Sequence, residues 1–207
     1  PDANLASGVE KALSADQTIL LAAADVPQGG QWKMCYCTDD SAADRKCGDA
    51  GVADYGALAG ILTVLGPSPN SQDQTCVAGF ACNLQIVGEQ LSTNDRIALV
   101  AHPGNACGTG ERDHSVTLDR YREMASATGL VLEAAALPQG GQWKICYCVA
   151  DHNACDDYVD FAALVGILTV GGPSSSSQGS SCYAGVPCVF PNAPGFVGQL
   201  LTPADKL

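Results

Sequence analysis

Eleven cysteines are the residues of this 207-residue chain best able to do covalent or metal chemistry, and their spacing is regular. Cys35 and Cys37 form a Cys-x-Cys that returns as Cys146 and Cys148, a further cysteine follows each across a short polar loop (Cys47, Cys155), and Cys76 and Cys82 are spaced like Cys182 and Cys188. Such clusters either hold zinc or form disulfides. Structural zinc usually shows two closely spaced ligand pairs, whereas His102, His114 and His152 do not recur with the cysteines. Disulfides in an oxidising compartment are therefore expected. Asp39, Asp40, Asp44 and Asp49, and again Asp151, Asp156, Asp157 and Asp160, offer hard oxygen ligands for calcium. Their spacing does not fit an EF-hand loop, so solvated loops are the expected reading. No Gly-x-Ser-x-Gly, P-loop or dinucleotide fingerprint occurs. No catalytic, cofactor-binding or metal-binding residue is assigned, and the chain is read as a non-enzyme.

The elements that position the cysteines repeat with them. Residues 27–37, Pro-Gln-Gly-Gly-Gln-Trp-Lys-Met-Cys-Tyr-Cys, return at 138–148 with Ile for Met, a shift of 111 from Trp32 to Trp143. The Gly-Ile-Leu-Thr-Val segments at 60–64 and 166–170, and the pairs Cys76 and Cys82 against Cys182 and Cys188, are shifted by 106. A period of this size suits a small domain in tandem. After the Pro-Gln-Gly-Gly turn the pattern alternates as a strand does, with Trp32, Met34 and Tyr36 on one face and Cys35 and Cys37 on the other. The bulky face is expected in the core, with Trp32, Tyr36, Trp143 and Tyr147 as anchors. Two cysteines on one face of an extended strand are poorly placed to bond each other, so each needs a partner elsewhere. Of the pairings open to six cysteines, the favoured set is Cys76–Cys82, Cys148–Cys155 and Cys107–Cys146. It repeats as Cys182–Cys188 and Cys37–Cys47, with Cys35 lacking its partner.

Residues 1–15 and 113–125 carry apolar spacings of a short helix or irregular excursion, and 18–21 and 129–132 read as short strands. Residues 55–64 and 158–170 end in apolar strands closed by Gly-Pro. The Ser-, Gln- and Pro-rich stretches 67–75 and 173–181 read as linkers. Residues 196–207 align without gaps on 86–97, matching Val197-Gly198 to Val87-Gly88, Leu201 to Leu91 and Asp205 to Asp95. Three parts follow: 1–69 is the closing part of a split unit, 70–173 a complete unit, and 174–207 the opening strands of a split unit. About 14 residues, the counterparts of 98–111, would join the two split parts and carry the absent sixth cysteine.

A net charge of −12 argues against nucleic acid and anionic membrane surfaces as partners. The longest apolar runs are about ten residues, short of the roughly 20 needed to span a bilayer, so no membrane insertion is expected. The chain opens on Pro1 without a visible signal peptide, which reads as a processed or partial chain. Asn-x-Ser/Thr is absent; Ser68 and the serines of 174–177 could carry O-linked glycan, with plain linker the expected role.

Taken as a unit, the Cys-flanked strand, the Val-Gly-x-x-Leu-x-x-x-Asp corner, the Gly-x-Trp-Lys-x-Cys-Tyr-Cys strand and the closing Gly-Ile-Leu-Thr-Val strand resemble immunoglobulin-like repeats of the filamin and TIG kind. They resemble more specifically the Cys-Tyr-Cys repeats of very large surface proteins of dinoflagellates and other protists. The resemblance implies an adhesive or structural role and transfers no catalytic residue. The expected fold is all-β, tandem disulfide-stabilised immunoglobulin-like sandwiches, to which strand number and length also point. The expected function is a structural subunit of an extracellular filament, hair or matrix. Its partners are copies of itself, joined head-to-tail covalently or by strand donation. The alternative is an extracellular adhesion or ligand-binding module whose loops 102–115 or 150–160 contact a glycan or protein.

Overall fold

A computed structural model of the chain describes residues 11–14, 16–22, 25–26, 28–37, 55–68, 71–104, 106–109, 122–124, 126, 128–174, 184–185, 187, 197–202 and 204–205. Twelve strands are described: β1 Gly30–Tyr36, β2 Ala57–Val64, β3 Gly66–Pro67, β4 Gln74–Val77, β5 Cys82–Gln85, β6 Gly88–Glu89, β7 Arg96–Ala101, β8 Arg122–Glu123, β9 Gly129–Leu132, β10 Gly141–Cys148, β11 Ala163–Pro173 and β12 Gly198–Gln199. Among the described residues the only helical turns are short 3-10 segments at Ala134–Ala136 and Tyr158–Asp160. The fold is all-β. Of the two expected helical excursions, 1–10, 15 and 110–121 lie outside the described residues, 11–14 carry no helix, and Arg122–Glu123 is strand.

The largest sheet runs β12-β11-β10-β7-β8, with β4 added in parallel along β11. Its middle is buried on both faces. From β10, Trp143, Ile145 and Tyr147 enter a core with Leu84 and Ile86, Leu130 and Leu132 of β9, and Ile97 and Leu99 of β7. Cys146 and Cys148 enter a second, smaller core with Ala98, Val100, Cys155 and Phe161. The period-two alternation thus sorts large aliphatic and aromatic groups to one face and thiols to the other, as strand geometry requires. The first core is roofed by the antiparallel pair β5–β9. The second is roofed by loops, which have little apolar mass of their own and are tied down covalently.

The described residues of the 67–75 stretch, 67–68 and 71–75, are built into the fold rather than spanning it as a linker. Strand β4 pairs with β11 through its backbone, while Gln72 and Gln74 use their side-chain amides as substitute strand groups. The Gln72 amide accepts from Val87 N at 2.7 Å and donates to Val87 O at 2.9 Å. Gln74 accepts from Gln85 N at 2.9 Å and donates to Gln85 O at 2.6 Å. Asp73 accepts from Ile167 N and from the Ser71 hydroxyl, both at 2.8 Å, and these bonds hold its carboxyl below the ordinary range. Gly166 permits this approach, because a Cβ there would lie 2.6 Å from the Gln72 carbonyl carbon.

The repeated sequences fold alike. Gly30 faces Val64 and Trp32 faces Leu62 in β1–β2; Gly141 faces Val170 and Trp143 faces Leu168 in β10–β11. The register breaks at the same place, between Met34 and Cys35 and between Ile145 and Cys146. The expected strand at 18–21 does not form, although its counterpart Gly129–Leu132 does. In β9 that conformation is held by the ladder to β5, and no strand pairs with 18–21 among the described residues.

Candidate assembly surfaces

Three disulfides are described. Cys107–Cys146 and Cys148–Cys155 pin the loops that roof the second core, and Cys76–Cys82 links β4 to β5. The thiols a zinc site would have drawn on around Cys146 and Cys148 are thus used. Cys37 is disulfide-bonded too, while its expected partner Cys47, together with Cys182 and Cys188, lies outside the described residues. Cys35 is a free, exposed thiol. Disulfides of this number fit a secreted or extracellular protein. Among the described residues no helix is long and apolar enough to cross a membrane. In the aspartate-rich loop Asp157 and Asp160 cap the 3-10 turn: Asp157 accepts from Tyr158 N at 2.7 Å and Asp160 from Asp156 N and Asp157 N at 3.3 Å. His102 and His152 are exposed, and His114 lies outside the described residues.

Among the described residues one charged side chain is buried, Asp95. It accepts hydrogen bonds from Ser92 N at 2.7 Å, from Ala150 N at 2.9 Å, and from the Tyr147 hydroxyl. A carboxylate removed from water needs such donors. Burial first, and then the Asp95 carboxylate, push the Tyr147 phenol well above its ordinary value. The corner recurs at the far end of the chain: Asp205 accepts from Thr202 N at 2.7 Å and donates its own N–H to Thr202 O. Gln90 and Leu200, equivalent positions in the two corners, have φ of 49° and 54°.

A second geometry also occurs twice. Gly66 faces Glu89 and Pro67 faces Gly88 in β3–β6, and Gly172 faces Gln199 and Pro173 faces Gly198 in β11–β12. Beside each pair the Gln-Gly-Gly turn adds a third backbone: Gly29 N donates to Pro67 O, and Gly140 N to Pro173 O, both at 2.6 Å. Beyond each Gly-Pro a serine N–H donates to a valine carbonyl at 2.8 Å, Ser68 to Val87 and Ser174 to Val197. Glycine is required where these backbone segments meet. A Cβ on Gly29 or Gly140 would lie 2.0 Å from the carbonyl oxygen of Gly66 or Gly172, and one on Gly88 or Gly198 would lie 2.2 Å from it. These glycines were legible as turn residues, and their recurrence was the signal that could have marked them as joints.

The two Trp hairpins differ in what covers them. In β10, Trp143, Ile145 and Tyr147 are 3%, 0% and 1% exposed; in β1, Met34 and Tyr36 are 41% and 45% exposed and Trp32 is half-buried. Of the expected core anchors in this copy, Tyr36 is thus exposed and Trp32 only half-buried. The physical cause is the missing neighbour. Strand β10 lies between β11 and β7, whereas β1 has β2 as its one partner strand among the described residues. The Trp32 indole N–H is shielded from solvent without an acceptor. Leu58, Ile61 and Leu20 add exposed apolar area to this part of the chain. No strand pairing joins the described residues of 1–69 to those of 174–207.

No family model, curated protein or solved structure matches the chain.

Proposed function

We propose that the chain is a structural segment of an extracellular filament, hair or matrix, built head-to-tail from disulfide-stabilised immunoglobulin-like sandwiches and acting without catalysis or cofactor. The observation that carries this reading is the repetition of the joint: Gly66-Pro67 on Gly88-Glu89, and Gly172-Pro173 on Gly198-Gln199, in one register. A contact in which different surfaces of successive units meet, repeated with one geometry, propagates an open array wherever its rotation does not close a ring. Backbone hydrogen bonds across three chain segments make each joint stiff, which suits a load-bearing element more than a flexible receptor stalk. The disulfides suit the same setting, since roofs made of loops cannot supply enough buried apolar area alone.

The test is electron microscopy of the material purified from its source, together with its intact mass. Regular fibres whose axial repeat matches the spacing of successive units support the reading. Dispersed globular particles that retain a glycan or protein ligand would replace it with the adhesion-module alternative.

A further inference from the structure

We infer that the exposed face of the β1–β2 hairpin is a docking site for the 197–205 corner of a second copy of this chain, with the Asp205 carboxylate of one copy accepting from the Tyr36 hydroxyl of the other. The inference rests on the head-to-tail reading above and names the surface by which it proceeds.

The chain contains its own template. In the 87–95 corner, Leu91 packs on the main core and Asp95 receives the Tyr147 hydroxyl. The equivalent residues of the other copy of the motif are Leu201, Asp205 and Tyr36, and each lacks that environment here. Leu201 is 39% exposed and Tyr36 45%, and among the described residues no hydrogen bond joins Asp205 to a tyrosine. Both surfaces are nevertheless already shaped. The corner has its strand on β11, its residue at positive φ and its Thr202–Asp205 turn. The hairpin has the register and the bulge of β10–β11. Docking therefore needs little rearrangement, which keeps the ordering cost low. It would remove from water apolar groups on both sides, Met34 and Tyr36 on one and Leu201 on the other.

A second copy is the occupant because the complementarity is internal to the repeat. The three donors that satisfy Asp95 are Ser92 N, Ala150 N and the Tyr147 hydroxyl. At Asp205 the first is present as Thr202 N, while the tyrosine stands on the β1–β2 hairpin, and among the described residues no strand pairing joins the two parts. An unrelated partner would have to supply such donors itself, whereas the chain already carries two of them, Thr202 N and the Tyr36 hydroxyl.

The experiment is self-association of the full chain carrying Cys35→Ser, which removes thiol cross-linking, followed by sedimentation velocity across a concentration series. Tyr36→Phe and Asp205→Asn are each expected to weaken association by about tenfold or more, the scale of a lost hydrogen bond to a charged group. Because both act on one bond, the double variant should be no weaker than the weaker single variant. Circular dichroism should be unchanged, since both side chains are exposed in the isolated chain. A monomer at every concentration, or effects that simply add, would overturn the docking. If native material is filamentous while the isolated chain stays monomeric, this docking fails and the filament reading stands. If the chain pairs through Tyr36 and Asp205 but stops at closed dimers, the docking stands and the filament reading fails.

Discussion

The hydroxyl of Tyr147 donates to the buried carboxylate of Asp95 across the main core, tying the strand that carries the Cys-x-Cys to the corner that precedes β7. The bond joins residues far apart in sequence and is sealed from water on both sides. It should therefore report on the integrity of the whole unit. Tyr147→Phe is expected to destabilise the chain by about 1.5–3 kcal/mol, the range for a lost hydrogen bond to a charged partner. Asp95→Ala, which leaves the Ser92 and Ala150 N–H groups and the phenol without their acceptor, should cost more. Chemical denaturation followed by tryptophan fluorescence measures both.

The same pair sets a pH dependence. Tyr147 has a folded-state value raised above its ordinary 10.0. Its contribution is thus fully present below about pH 10 and is lost as the unfolded chain, but not the folded one, gives up the phenolic proton. Above that point the decline attributable to Tyr147 should approach about 1.4 kcal/mol per pH unit until the folded phenol itself ionises. The alkaline slope should be shallower by this amount in Tyr147→Phe. Equal slopes in the two proteins would rule out the assignment.

The disulfides differ in the chain they constrain. Cys107–Cys146 has a sequence separation of 39, against 7 for Cys148–Cys155 and 6 for Cys76–Cys82. On the chain-entropy account, losing the first costs about 4 kcal/mol and losing either short one about 2 kcal/mol. Paired serine substitutions compared by denaturant midpoint test the order. A larger loss for Cys76 and Cys82 would mean that native-state packing, not loop closure, governs.

The thiol inventory follows from parity and exposure. Eleven cysteines cannot all pair within one chain, and Cys35 is free and exposed. Native protein should take up one maleimide per chain, and peptide mapping should place it on Cys35. Labelling confined to Cys47, Cys182 or Cys188 would contradict the pairing read from the repeat.

Much of this was legible in the sequence, for identifiable reasons. The alternation of Trp143, Ile145 and Tyr147 with Cys146 and Cys148 is a local, period-two signal, and the two cores divide along it. The lengths of strands at 18–21 and 129–132 looked equal because pattern alone cannot say whether a ladder partner is at hand. The 67–75 stretch looked like a linker because Gln72, Asp73 and Gln74 are polar, and polar side chains that stand in for backbone hydrogen bonds have no compositional mark. Asp95 was visible only as part of a repeated corner. Its burial depends on Tyr147 and Ala150, both supplied from beyond the intervening strands.

The joint gives the sharpest remaining expectation. At Gly88 the backbone of β6 passes so close to β3 that a Cβ would lie 2.2 Å from Gly66 O, 2.8 Å from Pro67 Cα and 2.9 Å from Gly66 C. All three obstacles are backbone, so no side chain can swing aside to relieve the clash. Gly88→Ala should therefore open the β3–β6 pair, with the Gly29 N to Pro67 O bond beside it, at a cost of about 1–3 kcal/mol by analogy with overpacked interiors. The main core of 70–173 contains neither residue, so its own unfolding midpoint should barely move. What should change is the relation between the hairpin and the unit: limited proteolysis should cut faster in 65–72, and small-angle scattering should show a larger radius of gyration. Gly198→Ala, facing Gly172 in the same way, should free the 197–205 corner from β11 and leave the first joint intact. Should Gly88→Ala leave proteolysis and scattering unchanged while Gly198→Ala alters both, the two joints are not equivalent, and the repetition on which the proposed assembly rests is lost.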